Sequence, residues 1–238
     1  MPFKILFVPS VQYNRLYGPM KNGKLSPWSS EGDFAHQFVG GKLVPRAQVK
    51  GWDFDIATAK YTPGDDLGPL YIIRNNINGV AAAKPNTTFL VVSIHTEGTI
   101  PSQPNLYGGR YSGDQSYALL ATICDQLGKV YPDGRRFEYP SPGYIMLDGY
   151  QPNVVLAIVE VGGDGDAERM TQLNANVNRI ADGVTTGIEL YIAEHSDEPV
   201  VPVDYKALYE AAQLTNEGLK RKLDAVFEIA DDLQRILL

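Results

Sequence analysis

The stretch Phe89-Leu90-Val91-Val92-Ser93-Ile94-His95 decides the fold of this 238-residue chain. Its apolar run predicts a buried strand, because strands covered on both faces by helices read as near-continuous apolar segments. The strand delivers His95, one of 3 histidines in the chain, at its carboxyl end. Ligands of open α/β sheets bind beyond that end of the strands. We therefore predict that His95 belongs to a functional site, and a metal-dependent site in particular.

Two more apolar runs, residues 4–8 and 154–161, also predict buried strands. Between them, residues 69–80 place apolar side chains at spacings of 3, 4 and 3, which predicts an amphipathic helix opened by Pro69 and buried through Leu70, Ile73, Ile77 and Val80. A long helix is predicted over residues 167–193. Buried strands that alternate with such helices indicate an α/β fold, with a twisted, largely parallel sheet flanked by helices.

The other elements have weaker signals, and several are predicted as loops or short strands. Helices are predicted from residue 31 to Leu43 and over residues 115–127, long loops over 11–30 and 98–113, and strands over 54–60, 136–139 and 144–147. Long structureless loops inside compact domains are uncommon and often functional. The loop over residues 11–30 is therefore expected to be functional.

Two domains and a linker are predicted from a change of composition near the C-terminus. Residues 1–195 form the main domain, and residues 196–203, which contain Pro199 and Pro202, form a stiff linker. Residues 204–238 carry apolar side chains at spacings near 4 and 3, which predicts a C-terminal helical appendage with a narrow apolar seam. The seam can pack back on the domain or form a homodimer contact, and the sequence leaves both open.

Composition excludes several classes of protein. The formal net charge is −7 and no basic patch stands out, which argues against a nucleic-acid partner. The single cysteine, Cys124, excludes an internal disulfide and lies in an apolar helical pattern, so we expect it to be buried in the core. No stretch approaches the roughly 18 apolar residues of a membrane span.

Two carboxylates are placed where they can join His95. Glu31 begins a predicted helix, and Glu160 ends the last apolar strand. A hydrolytic zinc site needs about three protein ligands, an open position for water and a carboxylate that moves protons. Each residue also has an ordinary structural interpretation: Glu31 as a helix-start residue favoured by the dipole, Glu160 as the partner of another buried group.

The order of these motifs resembles that of the zinc-dependent N-acetylmuramoyl-L-alanine amidases of the type-3 class. The resemblance spans roughly residues 3 to 193, and its motifs are short. The matching pieces are Glu31, the helix from Arg74 to Asn78, Ser93-Ile94-His95, Val159-Glu160-Val161-Gly162 and the closing helix with Ile180-Ala181-Asp182-Gly183 and Gly187-Ile188-Glu189-Leu190-Tyr191.

The resemblance implies a peptidoglycan hydrolase that cleaves the amide bond between N-acetylmuramic acid and L-alanine with zinc-activated water. It implies that Glu31 and His95 hold Zn²⁺ and that Glu160 is the catalytic acid–base. The substrate would be peptidoglycan, or a muropeptide derived from it. The segment 1–9 lacks the long apolar region of a secretory signal. We therefore expect a protein made in the cytoplasm that reaches the cell wall after release, as a phage endolysin or a lysis-released enzyme would.

The first metal-binding motif of the family is missing. The family's first strand runs into Asp-Pro-Gly-His-Gly, whose histidine binds zinc, whereas this chain reads Val8-Pro9-Ser10-Val11-Gln12. It is similar to a divergent branch with Pro-Ser-x-Gln at that place. Gln12 then becomes the predicted third metal ligand, and Asn14 is a weaker candidate.

The other two histidines are poorer substitutes for the missing ligand. His36 follows Glu31 by five positions, which turns a helix by about 500° and leaves the two side chains about 140° apart. His195 lies just after the closing helix, where surface exposure is expected.

Three other functions remain open at this point. The domain could be a catalytically degenerate module that binds cell-wall glycopeptide or a protein partner. It could be another zinc-dependent peptidase of related α/β design. A structural or assembly role driven by the C-terminal helices is the third, because fold alone does not fix function.

Overall fold

A computed structural model describes residues 2–13, 16–20, 23, 25–60, 67–98, 106–141 and 147–196. The predicted appendage at 204–238, Asn14, most of the predicted strand at 144–147 and all of the linker except Ser196 lie outside the described residues. Predictions that concern those segments therefore stay predictions.

The core of the fold is a six-stranded sheet with the strand order β2-β1-β3-β6-β4-β5. Neighbouring strands are parallel except β4 and β6, which are antiparallel. The strands are β1 (Phe3–Pro9), β2 (Phe54–Ile56), β3 (Thr88–Glu97), β4 (Leu106–Tyr111), β5 (Arg135–Pro140) and β6 (Val154–Gly163). This mostly parallel α/β sheet confirms the predicted fold class.

Five α-helices flank the sheet in the part of the chain that the structure describes. They are α1 (Glu31–Phe38), α2 (Val44–Val49), α3 (Gly68–Ala82), α4 (Asp114–Val130) and α5 (Ala167–His195). None of them combines the length and apolar character needed to cross a membrane.

The predicted end of the first helix at Leu43 is wrong. A π-helical turn over Val39–Leu43 links α1 to α2, so the helical path continues to Val49. Within the turn the Val44 N–H donates to the Val39 carbonyl, one residue further back than in an α-helix. Pro45 follows directly and has no N–H to donate, and proline is well tolerated at the start of a helix such as α2.

The two faces of the sheet bury separate hydrophobic clusters. The larger cluster lies under α1, α2, α4 and α5 and includes Cys124, as predicted, while the smaller one lies under α3. Burial raises the pKa of the Cys124 thiol to about 12. Within α3, Ile73 and Ile77 are buried as predicted, but Val80 is 42% exposed and Ala81 faces the sheet instead.

The predicted loop over residues 98–113 is the largest error, because it contains strand β4. Gly108 and Gly109 have φ of 150° and 156°, a conformation that side-chain-bearing residues rarely adopt. A Cβ at Gly108 would lie 1.8 Å from the Phe137 carbonyl oxygen, and one at Gly109 would lie 1.8 Å from that of Ile158. Two glycines suppressed the strand signal, yet only glycine fits between β5 and β6 here.

Candidate functional site at the carboxyl edge of the sheet

His95 and Glu31 meet at the carboxyl edge of the sheet. The Nδ1 atom of His95 lies 2.8 Å from Oε1 of Glu31. Glu31 is completely buried and His95 is 8% exposed. A buried carboxylate is costly unless it is paired, and this imidazole is the partner that makes the position of Glu31 tolerable.

The N-terminus of α1 holds Glu31 in place. Ser30 has extended backbone and its Oγ accepts a hydrogen bond from the Asp33 N–H at 3.2 Å, a normal N-cap. Glu31 is therefore the first residue of the helix, where a negative charge is favoured by the helix dipole. Glu31 is thus both a helix-start residue and the partner of His95.

The second ring nitrogen of His95 also has a partner. Nε2 lies 3.0 Å from Oγ of Ser93, which is two residues back on the same face of β3 and 1% exposed. Since the Nδ1–Oε1 contact requires a proton between its two atoms, a neutral ring accepts the Ser93 hydroxyl proton at Nε2. Ser93 and Glu31 together fix the orientation of the imidazole.

Glu160 is the nearest strand neighbour of His95. The two residues are paired in the parallel register of β3 and β6, so their backbones are about 4.8 Å apart. Side chains in paired positions project from the same face of a sheet, and here that is the face covered by α3. Glu160 as a residue is only partly buried, but its Oε2 atom is buried, so part of its carboxylate is shielded from solvent on the face that also carries His95.

Gln12 lies next to the start of α1 through its backbone. Its carbonyl accepts a hydrogen bond from the Gly32 N–H at 3.1 Å, and its N–H donates to Ser10 Oγ at 3.2 Å. The chain after β1 therefore passes directly beside Glu31. The structure places the backbone of Gln12 beside the first turn of α1, and its role as a ligand stays a prediction.

The two remaining histidines have other surroundings. The His36 ring lies 5.8 Å from that of Tyr13, and burial lowers its pKa, partly offset by Asp33. His195 lies at the end of α5, where its Nδ1 is 2.9 Å from the Tyr191 carbonyl oxygen and its ring stacks on Tyr191. His195 is thus half-buried and helps to end a helix.

A hydrogen-bond network beside the site was missed by sequence reasoning. The Thr96 hydroxyl donates to Asp164 Oδ2 at 2.6 Å and lies 2.7 Å from the hydroxyl of Tyr17. The Asp164 N–H also donates to the Glu97 carbonyl at 3.0 Å. These contacts join the segments that follow β1 and β6 to the last two residues of β3. The available signal was that Thr96 and Asp164 each lie at the end of an apolar strand.

Helix α3, which carries Arg74 and Asn78, contacts the segment that leads into the amino end of β6, away from the carboxyl edge. Asn78 donates through Nδ2 to the Gly149 carbonyl at 2.7 Å and accepts at Oδ1 from the Gln151 N–H at 2.9 Å. It thereby anchors the segment before β6 to α3. Arg74 lies 5.1 Å from the centre of the Tyr71 ring, a cation–π distance.

The donor atoms present suit a divalent cation in part. The described residues contain no group of three or more His, Cys, Asp or Glu side chains arranged to hold a metal. Glu31 and His95 nevertheless bring one carboxylate oxygen and one imidazole nitrogen together, two donor types that zinc accepts in hydrolytic sites. A cation that replaced the proton between them would contact two buried donors.

Comparison with solved structures identifies the fold. The CwlD amidase of Clostridioides difficile, solved in complex with the GerS lipoprotein, matches with a TM-score of 0.60 and 17% identity, over 80% of this chain and 98% of that one. The N-acetylmuramoyl-L-alanine amidase AmiC2 of Nostoc punctiforme matches with a TM-score of 0.56 and 17% identity, over 80% and 97%. The chain has the amidase fold.

A third match extends the comparison to an endolysin. The catalytic domain of the CD27L endolysin, which targets Clostridia difficile, shares the amidase fold with a TM-score of 0.56 and 12% identity, over 80% of this chain and 98% of that one. No protein-family model and no curated protein matches the sequence. Identities this low establish the fold alone, so the activity has to be argued from the site.

Proposed function

We propose that this chain is a zinc-dependent N-acetylmuramoyl-L-alanine amidase, a peptidoglycan hydrolase. The observation that supports it most is the buried Glu31–His95 pair, with Nδ1 and Oε1 2.8 Å apart and Glu160 next to His95 in register. This group lies at the carboxyl edge of a sheet with the amidase fold, the edge at which α/β proteins bind their ligands.

Glu31 and His95 would hold Zn²⁺, with Gln12 as the third donor. When bound, zinc polarises a substrate carbonyl and lowers the pKa of bound water towards about 7. Ser93 would keep the His95 ring oriented through Nε2. Because Glu31 and the Ser93 hydroxyl hold the imidazole from both sides, the donor geometry is fixed before any ligand arrives.

Glu160 would handle the protons of the reaction. Its carboxylate takes a proton from the attacking water as the water oxygen bonds to the amide carbon. The C–N bond then breaks, and Glu160 gives this proton to the leaving nitrogen of L-alanine. The products are the lactyl carboxylate on the muramic acid and a stem peptide with a free amine.

The experiment is mass analysis of purified peptidoglycan after digestion by the full chain and by Glu160→Gln. We expect stem peptides with a free L-alanine amine from the wild type and none from the variant. Products cut within the peptide would instead indicate another zinc-dependent peptidase. A wild type that binds muropeptide but releases no product contradicts the proposal and favours a degenerate binding module. Such a module would need no third strong metal donor, and the described residues contain none.

Two further proposals concern the cellular setting and assembly. We propose that the chain is made in the cytoplasm and meets the wall after release, in keeping with its likeness to an endolysin catalytic domain. We also propose that the apolar seam of residues 204–238 supports a homodimer. Light scattering of the full chain and of a chain ending at Ser196 tests the homodimer. We expect the mass of two chains for the full chain and the mass of one chain for the shortened form. A monomeric full chain would contradict the homodimer.

A further inference from the structure

One row of residues crosses four strands at the level of the candidate site. His95 on β3 is paired with Glu160 on β6, Glu160 with Gly108 on β4, and Gly108 with Phe137 on β5. With about 4.8 Å between strands, the backbone of Phe137 lies about 10 Å from that of Glu160. The row therefore leads from the catalytic carboxylate to the edge of the sheet.

Phe137 and Tyr139 project from the same face of the sheet as Glu160. Their neighbour Arg136 points to the opposite face, since it pairs with Asp125 of α4. Side chains alternate along a strand, so Phe137 and Tyr139 face away from α4. Glu160 does so too, because the flanking Val159 and Val161 lie in the cluster on the α4 side.

These two aromatic rings form a platform at the sheet edge. Their centroids are 5.4 Å apart with a tilt of 34°, and Tyr139 is 53% exposed. Neither hydrophobic cluster of the described residues includes them. Aromatic side chains that contribute to no core yet hold each other in place are typical of binding surfaces.

The floor between Glu160 and the platform carries no side chain. Gly108 occupies that place, and a Cβ there would lie 1.8 Å from the Phe137 carbonyl oxygen. Arg110, two residues along β4, is exposed and paired with Tyr139 in register. Its Nη1 is 3.5 Å from Oγ of Ser141, the limit of a hydrogen bond. Among the described residues its other N–H donors have no such partner, so they can meet a ligand.

We propose that Phe137, Tyr139 and Arg110 form a subsite for the glycan of peptidoglycan, a proposal that rests on the amidase function. The negative face of an aromatic ring attracts the C–H face of a sugar, and Arg110 can donate to hydroxyl and acetamido oxygens. In N-acetylmuramic acid only a few bonds of the lactyl group separate the ring from the scissile carbonyl. The sugar would therefore lie beside Glu160, over Gly108, with its ring on the platform.

The test is calorimetric titration of the full-length Glu160→Gln chain with a peptide-free N-acetylglucosamine–N-acetylmuramic acid oligosaccharide and, separately, with the stem peptide alone. Adding Tyr139→Ala or Arg110→Ala should weaken glycan binding about tenfold, an effect of the size that one aromatic or polar contact supplies, and should leave peptide binding unchanged. The matched control is Tyr117→Ala, another exposed tyrosine (41%), on α4.

The outcomes separate this proposal from the amidase proposal. Glycan binding that is absent, or that is unaffected by both variants, overturns the subsite even if the wild type hydrolyses peptidoglycan. Variants that lose binding only to the stem peptide, and not to the oligosaccharide, also overturn the subsite. Tyr139-dependent glycan binding, together with a wild-type chain that hydrolyses no peptidoglycan, supports the subsite and contradicts the amidase function.

Discussion

His95 Nδ1 and Glu31 Oε1 are 2.8 Å apart, although 64 positions separate the two residues in sequence. The contact joins the end of β3 to the start of α1 and buries a carboxylate completely. Because such burial is costly without a partner, each residue depends on the other. A pair of this kind can hold a proton or be separated by a cation, which is why it is the centre of the proposed metal site.

Ser93→Ala should destabilise the protein by about 1–3 kcal/mol, because the buried Nε2 of His95 loses its partner. It should also weaken zinc binding about 10-fold to 100-fold, as removal of an orienting partner typically does. Urea unfolding and a zinc competition titration measure the two effects. Ser93→Thr keeps the hydroxyl and should recover most of the zinc affinity; equal loss in both variants would contradict an orienting role.

Gly109→Ala should be severely destabilising, by about 3 kcal/mol or more. The new Cβ would lie 1.8 Å from the Ile158 carbonyl oxygen and force β4 away from β6. Gly79→Ala is the matched control: it lies within α3 and has nothing within 4 Å of its Cβ position. It should stabilise the protein by about 0.5–1 kcal/mol. Thermal unfolding of both variants provides the measurement, and similar shifts would show that β4 tolerates side chains.

Cys124 should be inert in the folded protein. Its pKa of about 12 leaves almost no thiolate at pH 8, and the thiol is fully buried. An aromatic disulfide reagent should therefore detect no thiol in native protein and one per chain in guanidinium chloride. Rapid native labelling would mean that α4 opens readily or that Cys124 is accessible.

Stability should fall as the pH drops through about 6.5 towards 5, in part through His36. Burial places the folded-state pKa of His36 below the unfolded value of 6.5. As the pH falls through 6.5, the unfolded chain therefore binds a proton before the folded chain does. The contribution of neutral His36 to the free energy of unfolding is complete only above that pH. Asp33, the charged neighbour, has a pKa below 3.8 and stays ionised in this range. His36→Gln should reduce the loss of Tm between pH 7 and 5; equal slopes for His36→Gln and the wild type would contradict the assignment.

Sequence patterns predicted the strands and helices that have continuous apolar runs or clean periodicity. The runs within β1, β3 and β6 are buried on both faces, so each strand could be found without knowledge of its neighbours. Strand β4 could not, since Gly108 and Gly109 are required by contacts with Phe137 and Ile158 that only the assembled sheet creates. The π-helical turn over Val39–Leu43 could not be predicted either, because it differs from an α-helix only in its backbone hydrogen bonds.

The candidate site could be predicted in outline and not in detail. Parallel strands end at one edge, so His95 and Glu160 could be expected near each other from their positions alone. The contacts of His95 with Ser93 and Glu31, and the network from Tyr17 through Thr96 to Asp164, depend on side-chain directions that spacing does not give. Gln12 was placed by family resemblance, and its backbone lies beside α1.

The zinc content of the purified wild-type chain, compared with that of His95→Ala, tests the central claim most directly. We expect about one zinc per wild-type chain, because the proposed site takes its two strong donors from His95 and Glu31, and almost none in the variant. Circular dichroism confirms that the variant is folded. Full zinc in folded His95→Ala, or a wild type that binds none when zinc is supplied, would contradict the proposed metal centre.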